Sequence, residues 1–123
     1  PYTLTAKLAV KESSKENLFM LHVLKADITM KKSNWLILKT KKATFNTDTK
    51  ILFSNNNVEA FYDDGTSFTS PSMNYNFNNG ILNSEEGVVM FGKWGRIRAG
   101  QFSYNPIKDI LTFSNDPKMY IYK

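Results

Sequence analysis

The chain repeats itself loosely about four times, with a period near 30 residues. The copies start at Leu4, Leu38, Phe68 and Ile97, and the first copy is the most degenerate. An Ile-Leu pair follows thirteen positions after the start of each later copy, at residues 51–52, 81–82 and 110–111. Because a unit that cannot bury its own apolar face must stack on its neighbours, the repeat predicts a stack of β-rungs with two open ends. At 123 residues we expect a single domain spanning residues 1–123.

Apolar and polar residues alternate along most of the chain, and helical periodicity is nearly absent. This pattern predicts an all-β fold. Asn, Asp, Gly and Pro residues interrupt the alternation at matching places in the copies, where they favour turns. The predicted turns are residues 46–50, 76–80 and 105–109, then 31–34, 62–65 and 92–95, and finally 55–57, 85–87 and 115–117.

The alternation slips by one residue at the same place in every copy. In the second copy Leu38 sets an inward phase, yet the next apolar pair is Ala43 and Phe45. A slip would turn a straight strand inside out, whereas a bulge or corner restores the inward face. The slip falls at Pro71 in one copy and at Gly100 in another, and we predict these two as structural corners. Each first strand should therefore bend from one sheet into a second, which gives an open-ended, V-shaped β-jellyroll of two facing sheets.

The inward phase is rich in large apolar side chains. Its predicted members are Leu38, Phe45, Phe68, Met73, Tyr75, Ile97, Phe102 and Tyr104. One interpretation is an ordinary dry core. The other is that the sheets splay apart and acyl chains fill the gap, in which case each buried CH₂ would contribute ~0.8 kcal/mol.

The chain carries a net charge of +5, which favours an anionic partner, although composition bias and solubility also explain it. It contains no cysteine, which excludes disulfides. Basic residues near two predicted corners are candidates for phosphate contacts, although outward solvated charge also explains them. They are Lys39, Lys41, Lys42, Lys93, Arg96 and Arg98. A single-strand nucleic-acid binder would need aromatic side chains exposed on one basic sheet. The aromatic residues fall on the inward phase, so we expect no nucleic-acid partner.

The sequence offers little for catalysis. His22 is the only histidine and lies in an apolar, strand-like run, which indicates a half-buried structural side chain. The acidic pairs at 63–64 and 85–86 each precede a glycine, as acidic turn residues do. We therefore expect no catalytic residues, no metal site and no cofactor.

The last predicted strand is apolar and uncharged until Lys123. It comprises Met119, Tyr120, Ile121 and Tyr122. Since an edge strand offers unpaired N–H and C=O groups, this strand is a candidate for strand addition by another protein.

Three segments resemble the LptC family of lipopolysaccharide-export proteins: Thr-Ala-Lys at 5–7, residues 61–68, and Gly-Arg-Ile-Arg-Ala-Gly at 95–100. The family has glycines where Gly92 and Gly100 stand. The resemblance covers essentially the whole chain and implies the open-ended β-jellyroll shared with LptA and with the amino-terminal domain of LptD.

The resemblance implies a module that accepts lipopolysaccharide from the inner-membrane ABC transporter and passes it to LptA. The lipid A acyl chains would occupy the interior, LptA would pair with the carboxy-terminal edge, and the transporter would meet the first strand. An LptA-like bridge that self-associates end to end is the alternative. The chain opens on Pro1, so we expect a processed or truncated periplasmic domain whose inner-membrane helix precedes it.

Overall fold

The computed structural model describes residues 2–11, 17–29, 34–105, 108 and 110–122. All regular elements in these ranges are strands, and no helix there is long and apolar enough to cross a membrane. The strands are β1 (Tyr2–Lys11), β2 (Leu18–Thr29), β3 (Trp35–Asn46), β4 (Ile51–Ser54), β5 (Val58–Tyr62), β6 (Ser67–Ser70), β7 (Met73–Asn76), β8 (Leu82–Ser84), β9 (Val88–Gly92), β10 (Gly95–Ala99), β11 (Gln101–Asn105), β12 (Ile110–Ser114) and β13 (Lys118–Ile121).

The three long strands β1, β2 and β3 pair antiparallel, and the sheet then forks along β3. The first half of β3 pairs with β5, and the second half pairs with β4. The first branch continues as β5-β6-β9-β10-β13, and the second branch as β4-β7-β8-β11-β12. The branches face each other, since the Phe68 ring of the first lies 5.1 Å from the Phe102 ring of the second. The predicted open-ended jellyroll of two facing layers is confirmed.

Each predicted slip is a corner at which the chain passes from one branch to the other. We call the line of corners, at residues 40–42, 70–72 and 99–101, the apex. Pro71 separates β6 from β7, and Gly100 separates β10 from β11. In β2 the corner falls at Val23, whose φ of +54° is a left-handed value that β-branched residues rarely adopt. Along β2 the next buried residue after Leu21 is therefore Leu24, so the spacing of buried residues here is three instead of two.

Buried hydroxyl groups stabilise the first two corners. Thr40 Oγ1 and Ser54 Oγ lie 2.8 Å apart, and Ser54 donates to the Lys42 carbonyl at 2.7 Å. Thirty residues later the same arrangement recurs, with Ser70 Oγ 2.7 Å from Ser84 Oγ. Because a strand that bends loses ladder partners, these hydroxyls satisfy backbone groups that would otherwise be buried without a hydrogen bond.

The third corner has no hydroxyl pair. Ala99 stands where Thr40 and Ser70 stand in the earlier corners, and the N–H of Gly100, the counterpart of Pro71, donates to the Asn115 carbonyl at 3.0 Å. A Cβ at Gly100 would collide with the Asn115 side chain, so glycine permits this close approach. Phe113 takes the place of Ser84 in this rung, and the neighbouring Ser114 is exposed and donates to Gln101 Oε1 at 3.3 Å.

The predicted turns at 46–50 and 76–80 are also built alike. Asn46 Oδ1 accepts from the N–H groups of residues 48 and 49, and Asn76 Oδ1 accepts from those of 78 and 79. The turns at 55–57, 62–65, 85–87, 92–95 and 115–117 lie between strands as predicted. Residues 31–33 of one predicted turn, and 106, 107 and 109 of another, lie outside the described residues.

Replacing Ser84 with alanine should destabilise the fold far more than the same change at Ser114. Ser84 is 3% exposed, and its hydroxyl lies against the Ser70 hydroxyl and the Gly87 carbonyl. The change removes these two buried hydrogen bonds, each worth about 0.5–1.5 kcal/mol, so it should lower the free energy of unfolding by about 1–3 kcal/mol. Ser114→Ala should stay within about 0.5 kcal/mol of the parent. Urea unfolding of both variants measures this difference, and equal losses would contradict the role assigned to the apex hydroxyls.

Candidate functional site

The interior is built from two rows of side chains that follow the strand registers. The first branch contributes Leu4, Ala26, Leu38, Ala60, Phe68, Met90, Ile97 and Met119. The second branch contributes Phe19, Phe45, Leu52, Tyr75, Leu82, Tyr104 and Leu111. Each row is a consequence of period-two alternation, because residues directly opposite one another in a ladder point to the same face.

A cavity of about 390 Å³ lies between the branches on the side away from the apex, and we call it the mouth cavity. The first branch contributes Leu36, Tyr62 and Phe68, and the second contributes Leu82, Phe102, Tyr104 and Leu111. Asp64 and Thr66 from the β5–β6 turn complete the lining. An apolar wall on both sides with a few polar groups at the rim is typical of a site for a largely apolar ligand.

The predicted interior residues divide into three groups. Phe68, Phe102 and Tyr104 line the mouth cavity. Near the apex, Leu38, Met73 and Tyr75 surround a space of only about 10 Å³, so this region is closed core. Ile97 is buried at 7% exposure, and Phe45 packs edge-on against Phe77 with ring centroids 5.7 Å apart. The structure therefore brings three of the eight predicted residues to the cavity.

Four apolar cavity residues were missing from the predicted set: Leu36, Tyr62, Leu82 and Leu111. The sequence contained a signal for two of them, since Leu82 and Leu111 are the second members of the repeated Ile-Leu pairs. Their side chains fall in the same register row as Tyr104. Leu36 and Tyr62 pair directly across β3 and β5, on the inward phase that Leu38 sets.

The polar groups at the rim are engaged in shaping the turn. The Thr66 N–H donates to Asp64 Oδ1 at 2.8 Å, and the Tyr62 N–H donates to the Thr66 carbonyl at 2.9 Å. Within the described ranges, no group of three or more His, Cys, Asp or Glu side chains could hold a metal ion. The cavity therefore offers apolar contact surface, with Asp64 as its acidic rim residue.

Residues 1–122 match the family model described as "Lipopolysaccharide-assembly, LptC-related". The chain belongs to the LptC family. It is thus a component of the lipopolysaccharide assembly machinery. The sequence has no significant match among curated proteins.

A solved structure supports the fold of this LptC-family chain independently. It is the crystal structure of LptH, the LptA homologous periplasmic component of the conserved lipopolysaccharide transport device from Pseudomonas aeruginosa. The two chains are 9% identical with a TM-score of 0.78, and the match covers 100% of this chain and 96% of LptH. At so low an identity the likeness establishes the LptA-type β-jellyroll and nothing about residue roles.

The carboxy-terminal end of the LptC-family domain presents exposed apolar side chains. In the described structure β13 ends one branch and pairs only with β10, and Met119, Tyr120, Ile121 and Tyr122 are all exposed. Gly95 brings the two strands together, since its φ is +156° and a Cβ there would collide with the Tyr120 carbonyl. Among the described strands β13 therefore lies at an edge, and strand addition there stays a prediction.

Aromatic side chains also lie outside the core, which corrects one expectation from the sequence. On the outward side of the first branch, Phe61 is half-buried, and Phe91 and Tyr120 are exposed. Arg96 and Arg98 share this face, as their spacing predicts. The aromatic residues therefore occupy both phases of the first branch, because Phe61 and Tyr62 are adjacent and point to opposite sides.

Burial raises the pKa of the Tyr75 phenol above its usual value of 10.0. The phenol therefore stays neutral in the folded protein at pH values where the unfolded chain ionises it. The stability that the neutral Tyr75 phenol contributes should be fully present below pH 10. It should be lost as the pH rises through the raised pKa. Tyr75→Phe removes this group, so its urea midpoint should decline less between about pH 9 and pH 11. Identical pH dependence in the two proteins would contradict the assignment.

Proposed function

We propose that this domain receives lipopolysaccharide from the inner-membrane ABC transporter and passes it to LptA in the periplasm. The observation that carries the proposal is the apolar mouth cavity between the two branches, in a chain of the LptC family. Its seven apolar lining residues contact an acyl chain through dispersion and exclusion of water, without a specific polar partner. The ATPase of the transporter supplies the energy, and this domain needs no cofactor.

The size of the cavity bears on how the lipid moves. At about 390 Å³ it lies at the low end of the range of about 300–1,000 Å³ typical of ligand pockets. A lipid with several acyl chains therefore needs either further separation of the branches or a groove that continues into the next protein. The inward rows reach both ends of the stack, from Leu4 to Met119, so a neighbouring jellyroll can extend them.

The two ends of the stack suit two different partners. We assign the β13 edge to LptA, since its side chains are apolar and exposed. The β1 edge, with Leu8 54% exposed, faces the transporter. A helix preceding residue 1 tethers the domain to the inner membrane.

An LptA-like bridge that self-associates end to end is the second candidate. The presence of exposed apolar side chains on the strand at each end of the stack, Leu8 and Val10 on β1 and residues 119–122 at the β13 end, favours it. Growth of filaments with rising protein concentration would distinguish this role from transfer to a separate partner.

Lipid entry can be tested with two neighbouring positions on β12. Leu111 lines the mouth cavity and is 43% exposed, whereas Ile110 is 50% exposed and does not line it. Leu111→Asp should weaken lipopolysaccharide binding roughly tenfold to hundredfold, the loss expected for one buried leucine side chain. Ile110→Asp should bind like the parent.

A photocrosslinking residue at each position gives the direct readout. Strong crosslinking to purified lipopolysaccharide at 111, with little at 110, supports entry through the mouth cavity. Equal crosslinking at both positions, in folded protein, would show that lipid does not enter there.

The partner assignment predicts a difference between the two ends. Ile121→Lys puts a charge on the open β13 edge, where the side chain is 63% exposed, so folding should be nearly unaffected. Its binding to purified LptA should fall at least tenfold, while the matched change at the other end, Leu8→Lys, should leave LptA binding intact. Calorimetry with both variants measures this difference, and the opposite pattern would reverse the polarity of the stack.

A further inference from the structure

We propose that the outward side of the first branch docks on an anionic lipid bilayer. This surface, the outer face, consists of two parallel rows of side chains and two tryptophans at one end. The inference goes beyond transport through the cavity, because none of the residues that carry it lines the mouth cavity.

The row nearer the β5–β6 turn is apolar and aromatic. Successive ladder partners place Ile37, Phe61, Ser67, Phe91, Arg96 and Tyr120 side by side. Phe91 and Tyr120 are 37% and 45% exposed. Ile37, Phe61, Ser67 and Arg96 are half-buried, so Phe91 and Tyr120 are the exposed large side chains of this row.

The second row lies two residues closer to the apex on each strand and is mainly basic. It runs through Lys25, Lys39, Glu59, Thr69, Val89, Arg98 and Lys118. The strands of this face carry two anionic side chains, Asp27 and Glu59. Asp27 Oδ1 lies 3.8 Å from Lys25 Nζ. Lys39, Arg98 and Lys118 are exposed, so the phosphate groups of an anionic membrane surface can reach them.

The chain's two tryptophans both lie at the turn end of this face. Trp35 begins β3 in the outward phase at 43% exposure, and Trp94 lies in the β9–β10 turn at 40% exposure. Tryptophan next to Lys and Arg is the combination enriched where proteins meet the membrane interface. Asp63 and Asp64 lie in the neighbouring β5–β6 turn, so they limit how deeply this end can enter an anionic bilayer.

The ring contacts favour a bilayer over single-stranded nucleic acid. Arg96 lies 4.6 Å from the centre of the Tyr120 ring, and Lys39 lies 5.7 Å from that of Phe61. Bases bind such platforms by stacking on open ring faces. Since cations occupy a face of both rings, the aromatic row is poorly placed for stacking and well placed to combine apolar contact with phosphate attraction.

The outer face of the second branch provides a matched control surface. Apart from Phe53, its central row is polar and uncharged, with Asn74, Asn83, Ser103 and Thr112 in successive register. Phe53 lies in the same row and is 37% exposed, as Phe91 is on the first branch. Lys42 and Lys108 are exposed outside the proposed surface.

The test uses vesicles of phosphatidylcholine with and without phosphatidylglycerol, neither containing lipopolysaccharide. Phosphatidylglycerol vesicles should shift tryptophan emission to the blue, and brominated acyl chains should quench it, because both tryptophans lie on the docking face. High salt should weaken the binding. Lys39→Gln/Arg98→Gln should reduce it about thirtyfold, and Phe91→Ser should reduce it severalfold. The controls Lys42→Gln/Lys108→Gln and Phe53→Ser should bind like the parent.

Three outcomes would overturn the proposal. The first is no binding to phosphatidylglycerol vesicles at low salt, and the second is equal loss in the test and control variants. The third is tryptophan emission that changes when a single-stranded oligonucleotide is added but not when vesicles are added. Lipid transport is tested separately, since loss of vesicle binding with normal lipopolysaccharide crosslinking at residue 111 would reject only the docking surface.

Discussion

The corner at the apex is the constraint on which the rest of the structure depends. A strand that alternates inward and outward residues cannot bend through a corner without reversing its faces, unless one residue is skipped. The bend also removes backbone groups from the ladder while keeping them buried. Paired hydroxyls such as Ser70 and Ser84, 2.7 Å apart, meet that need at a 30-residue interval. Once the corners are satisfied, both branches present their apolar phases to each other.

The closed apex and the open mouth are two ends of the same arrangement. The core around Met73 and Tyr75 leaves almost no free volume, whereas the layers separate enough at Leu36 and Leu82 to leave a cavity. Close packing at one end holds the branches in register, so the other end can remain less filled without loss of the fold. A lipid-transfer module needs this combination of a rigid spine and an apolar space that can be entered.

The alternation of apolar and polar residues, with the turn-forming residues between them, was sufficient to predict the corners and turns that the structure describes. The slip at Pro71 and Gly100 depends only on period-two alternation, which neighbouring residues reveal. The position of the cavity depends on how far two layers separate, and that distance is set by contacts between residues far apart in sequence. Leu38 and Leu36 share one phase, so the sequence could not indicate that only Leu36 reaches the cavity. The outer aromatic row was missed because Phe61 and Tyr62 are adjacent, and alternation alone does not say which of two aromatics faces inward.

The third corner differs from the first two in a way that bears on cooperativity. Ala99 and Phe113 stand where the earlier corners have a hydroxyl pair, and the exposed Ser114 makes a hydrogen bond to Gln101 that water can compete for. The side chains of β12 and β13 are also nearly all exposed, so we expect the rung formed by β11, β12 and β13 to open at a lower free energy than the rungs before it and its amides to exchange with solvent first. This rung also carries the apolar edge strand. The edge strand proposed to pair with a partner thus lies in the part of the fold whose opening costs least, so pairing there would also order that rung.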